Sequence, residues 1–89
     1  MDYNIISVLP RLKSKEKEMV NKWYDDFDNV IKMGRITDVE TIYRLVYLVT
    51  EGEVRSIIQE LNNSLEGYPT LLQMKKSLLT EGTYKNRYI

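Results

Sequence analysis

The sequence predicts an all-α protein: a compact bundle of four main helices, at about 15–33, 38–50, 53–66 and 69–81, plus a short N-terminal helix or arm. Three observations carry this. Apolar residues recur at spacings of three and four along most of the chain. Glycines, prolines and capping residues fall between those runs. No apolar–polar alternation of useful length appears, so strands are not expected. At 89 residues the chain is read as a single domain over 1–89, with 83–89 a C-terminal tail.

The N-terminal stretch Asp2–Leu9 is read as a short helix or anchored arm, ended by Pro10, which disfavours helix in the residue before it. Tyr3, Ile5, Ile6, Val8 and Leu9 are too many apolar groups to leave in water, so the arm is expected to dock on the bundle. Ser14 can cap the next helix, with Glu16 and Glu18 near its positive end. Met19, Val20, Trp23, Tyr24, Phe27, Val30 and Ile31 then repeat at spacings of three and four, the cleanest amphipathic pattern in the chain, and Gly34 is expected as a left-handed cap.

The run TDVETIYRLVYLVT, Thr37–Thr50, is expected to be the central helix. Thr37-Asp38-Val39-Glu40 fits a capping box with Thr37 as the cap. On a helix, Val39, Ile42, Val46 and Val49 form one apolar stripe, Tyr43 and Tyr47 a second, and Leu45 and Leu48 a third. A helix apolar on so many sides belongs inside a bundle or against another protein. Thr50-Glu51-Gly52-Glu53 repeats the capping signature, and Gly52 is read as a break. Val54, Ile57, Ile58, Leu61 and Leu65 line the following helix, which Gly67 stops. Pro69 then fits the first turn of a last helix that Gly82 closes. Trp23, Phe27, Val46, Ile57, Ile58 and Leu61 are assigned to the core.

Function is less legible. The chain has no His and no Cys, which removes the usual general base, the thiol nucleophile and the strongest zinc ligands. With no phosphate-binding glycine loop or nucleophile elbow either, no catalytic residue, cofactor, metal or small-molecule substrate is expected. Asp25, Asp26 and Asp28 do not converge on one side of a helix and read as a solvated acidic face. The N-terminus lacks a secretory pattern and no stretch is long and apolar enough to span a membrane, so a cytoplasmic chain without a membrane partner is expected. The complete lack of Ala beside plentiful Ile, Lys, Asn and Tyr is a bias of AT-rich coding, of the viral or archaeal kind.

Net charge is zero, from thirteen basic and thirteen acidic residues, which argues against a dedicated duplex-DNA binder. A helix-turn-helix centred on Gly52 fits poorly, because Glu53 and Leu48 stand where an apolar and a small residue are needed. A basic–aromatic surface remains as the alternative function: Arg11, Lys13, Lys15 and Lys17 with Lys85 and Arg87 of the tail, touching nucleic acid. The favoured expectation is a non-catalytic protein-interaction module. It would be an accessory subunit or inhibitor of a larger cytoplasmic enzyme, such as one that processes nucleic acid, or a homodimer. Its face would be built from the surplus Tyr43, Tyr47, Tyr84, Tyr88 and Ile89.

Overall fold

The computed structural model describes residues 3–87, and side chains over residues 5–80. Five helices follow one another: α1 (Tyr3–Val8), α2 (Lys17–Met33), α3 (Val39–Val49), α4 (Gly52–Ser64) and α5 (Leu71–Arg87). They form an all-α bundle with no strand among the described residues. The last helix, α5, packs on both α2 and α4, and α3 leans on α4 and α5. Among the described residues no helix is long and apolar enough to cross a membrane.

Of the seven residues on the stripe read from the sequence, α2 buries Val20, Trp23, Phe27 and Ile31, while Tyr24 and Val30 are half-buried and Met19 is exposed. Trp23 and Phe27 stack at 5.1 Å between ring centroids. Val46 and Val49 of α3, Val54, Ile57 and Ile58 of α4, and Met74 and Leu78 of α5 complete the interior. Leu61 packs against this core without being fully covered. Each fully buried aliphatic or aromatic side chain contributes roughly 1.5–3 kcal/mol. Exposed ion pairs such as Lys22–Asp26 and Lys32–Asp28 are screened by water and add little, so the apolar core holds the bundle.

Several helix ends depart from the sequence reading, each for a local reason. Ser14 does not cap α2: its hydroxyl accepts from the backbone N–H of Glu16, and the helix starts at Lys17. Asp38, not Thr37, caps α3, its carboxylate accepting from the Thr41 N–H at 2.9 Å and from the Thr41 hydroxyl at 2.7 Å. A carboxylate one residue later reaches two donors, which the Thr37 hydroxyl would not. Thr50 caps nothing ahead of it; its hydroxyl donates back to the Val46 carbonyl at 2.9 Å. Pro69 lies outside α5, whose capping box is Thr70 with Gln73: Gln73 N–H donates to Thr70 Oγ1 and Thr70 N–H to Gln73 Oε1. On the far side, α4 stops at Ser64, before Gly67, and leaves Leu65 exposed.

Gly34 caps α2 with an ordinary negative φ of −83°, and the left-handed residue is its successor, Arg35, at φ 55°. The Ile36 N–H then returns to the Ile31 carbonyl, closing a Schellman turn. Gly82 does not end α5, which continues to Arg87, so residues 83–87 are helical and not an irregular tail. A single interior glycine costs a helix only about 1 kcal/mol.

The break between α3 and α4 is real, and the N-terminal segment holds it. Leu12 runs alongside Thr50 as a short parallel bridge: its N–H donates to the Val49 carbonyl at 2.9 Å and its carbonyl accepts from the Glu51 N–H at 3.2 Å. Leu9 and Leu12 sink into the core, while Ile6 and Val8 of α1 stay exposed. The arm therefore docks mainly through the extended stretch after α1.

Candidate functional site

The outward side of α3 gathers most of the chemistry that is not spent on the core. Tyr43, Arg44, Tyr47 and Leu48 line an open hollow of about 430 Å³. Helical spacing puts Tyr43 beside Tyr47 and Arg44 beside Leu48. Leu48 is 52 % exposed, a large apolar group in water at the rim. Tyr47 is half-buried because Arg55, from beyond the helix break, lays its guanidinium over the ring at 4.5 Å from the centroid. Among the described residues no acceptor meets the buried Arg55 Nε.

Tyr43 corrects the reading of both tyrosines as outward rings: it is only 8 % exposed. Its ring packs on Tyr68 at 5.4 Å and on Tyr47 at 6.4 Å, so the loop before α5 covers it. Burial pushes its phenol above the ordinary tyrosine pKa, with Tyr47 and Tyr68 adding to the effect. Arg44 completes the rim. It is bound to Glu40 at 2.9 Å, which raises its pKa further, and it reaches the Tyr68 hydroxyl at 3.4 Å. Tyr68, absent from the sequence-derived site, is the residue that closes this aromatic cluster. Its only local signal was a tyrosine beside Gly67 and Pro69 in a loop.

Tyr84 falls in the last turns of α5, and its side chain, like those of Lys85 and Arg87, lies outside the described residues. Tyr88 and Ile89 lie outside them altogether. The site thus brings together Tyr43 and Tyr47 of the expected five.

The basic set is partly engaged inside the molecule. Lys15 binds Glu53 at 2.7 Å and Arg11 stands 4.0 Å from Glu51, so two of the four N-terminal bases face the acidic start of α4. Lys13 and Lys17 are exposed. Lys75 lies over the Tyr24 ring at 4.4 Å. In the acidic face of α2, Asp26 and Asp28 are each paired to a lysine one turn away. Among the described residues no three acidic side chains converge as a metal site would require. No family model, no curated protein and no solved structure matches this chain.

Proposed function

We propose that the chain is a small, non-catalytic helical interaction module that docks a larger protein, as accessory subunit or inhibitor, through the outward side of α3. What carries the reading is Leu48, more than half exposed beside a tyrosine-lined hollow. A bundle with a filled core has no internal use for a leucine there, whereas a rigid aromatic floor with an aliphatic rim is what interface anchors look like. Arg44 and Glu40 at the edge would orient the partner without adding much affinity. The pairing of Arg11 and Lys15 with acids of their own chain weighs against the nucleic-acid alternative.

The test is affinity capture from extract with and without nuclease treatment, at low and high salt, with wild type and Leu48→Glu as baits. The expected result is a stoichiometric protein that survives high salt and is lost with Leu48→Glu, while circular dichroism of the two baits stays the same. Retention of nucleic acid alone, only without nuclease and at low salt, would overturn the reading.

A further inference from the structure

The junction of α3 and α4 is bent, and the N-terminal strap at Leu9–Lys13 is hydrogen-bonded across the bend. In a continuous helix the Val49 carbonyl would accept from the N–H of Glu53, and the Glu51 N–H would donate to Tyr47. In the bent form Leu12 takes over one partner of each bond, with its own N–H on Val49 and its own carbonyl on Glu51. The Thr50 hydroxyl caps the Val46 carbonyl, and Thr50 is fully buried beneath the strap. Outside the bridge, Arg11 and Lys15 lie against Glu51 and Glu53. Gly52 provides the remaining requirement, a φ of +59°. Nothing else in the stretch opposes helix: it holds no proline and no second glycine.

A straightened α3–α4 cannot stand alone. Val54, Ile57 and Ile58 are buried, and drawing them out of the core would put three large apolar side chains into water. The groove that receives them is identical on every copy of the chain. We propose that the strap is a clasp on a swap hinge. With the clasp closed, α4 and α5 pack on their own α2. With it open, Thr50–Gly52 straightens, and two copies exchange their α4–α5 halves, so the core contacts are kept and only the hinge changes. The partner is a second copy of this chain, and the contact is distinct from the outward face of α3. The Arg55–Tyr47 stacking reports the bent form, because in a straight helix these residues stand about 12 Å apart along the axis.

Gly52→Ala is the direct probe: an added Cβ there meets nothing within 4 Å, so only the positive φ is penalised. The chain has no cysteine, so spin labels at Val39→Cys and Gln59→Cys, both exposed, report the hinge cleanly. Light scattering is expected to show Gly52→Ala shifting from the 10.6 kDa chain toward twice that mass. Within the dimer, pulsed electron resonance on labelled chains diluted in unlabelled ones should give an intrachain separation near 30 Å, the length of twenty helical steps. Leu12→Ala, which weakens the clasp, should raise the dimer fraction in the same direction. If Leu12→Ala proves unfolded by circular dichroism, Gly52→Ala alone decides. Unchanged mass and distance in Gly52→Ala would overturn the proposal. A dimer that keeps the wild-type intrachain distance and dissociates with Leu48→Glu would overturn it too, while supporting the α3 face. Loss of partner capture by Leu48→Glu leaves the swapped dimer intact, so the two ideas fail separately.

Discussion

The indole N–H of Trp23 donates to the carbonyl of Pro10 at 3.0 Å, tying the middle of α2 to the extended strap. The proline cannot donate and its carbonyl points inward, so the indole is the group that satisfies it. Trp23→Phe keeps the stacking partner for Phe27 but removes the donor and part of the buried surface. Destabilisation by about 2 kcal/mol is expected, from a lost hydrogen bond plus a small void. Urea unfolding followed by far-ultraviolet dichroism should show a lower midpoint at an unchanged slope.

That contact also shows where sequence reading stops. The helical stripes are local: Val20, Trp23, Phe27 and Ile31 announce themselves by spacing alone, and α2 buries those residues. The strap has no period. Leu12 reads as one apolar residue in a basic stretch, and its role depends on Thr50, which is far along the chain. Tyr43 fails for the same reason. Its place on a second stripe was visible, but the ring that covers it, Tyr68, comes from a loop. Caps shifted by one residue, as at Asp38 and Arg35, because several adjacent residues had suitable chemistry and the tertiary approach of the chain chose among them. The hollow was half legible: Leu48 and Tyr47 were surplus to one core stripe, whereas Arg55 had to come from beyond the break.

Val46 is fully buried at the centre of α3, and the core cluster it belongs to is built, among the described residues, from apolar side chains. Val46→Asp would bury an unpaired charge or force its protonation. Chains of this size have roughly 5–15 kcal/mol of stability in total, and a lesion of this kind removes several. The variant should show no cooperative thermal transition by dichroism. An intact helical fold of wild-type stability would refute the placement of α3.

Asp38 and Thr37 compete for one cap, and the geometry gives it to Asp38. Asp38→Ala should lower the melting temperature by a few degrees, whereas Thr37→Ala, whose hydroxyl is not used by the α3 cap, should leave it nearly unchanged. The pH dependence follows from the same bonds. The hydroxyl and then the backbone N–H of Thr41 hold the Asp38 carboxyl below its ordinary value. Its folded pKa is thus the lower one, so its stabilisation is present above the unfolded pKa and is lost as pH falls through the folded one. The difference between wild type and Asp38→Ala should therefore be constant from neutral pH to about 5 and shrink below 4. Melting curves across that range check both signs.

Arg35 and Gly34 hold conformations that suit each other's residue type better. Arg35 takes the left-handed φ of 55°, where a side chain costs about 1–2 kcal/mol, while Gly34 has a φ any residue can adopt. Arg35→Gly should stabilise the protein by about 1 kcal/mol, the relieved strain exceeding the added freedom of the unfolded chain, and raise the melting temperature by about 4–8 °C. Exchanging Gly34 for alanine does not give the same benefit, because a Cβ there runs into the side chain of Ile5. The clash falls on the Cδ1 of Ile5, a half-buried side chain that packs against the core, so turning it aside disturbs that contact. Gly34→Ala should thus loosen α1 while sparing the rest, visible as faster amide exchange in residues 5–9 with α2, α4 and α5 unaltered. Arg35→Gly should leave that exchange unchanged, so the pair separates backbone strain at the turn from the docking of the arm.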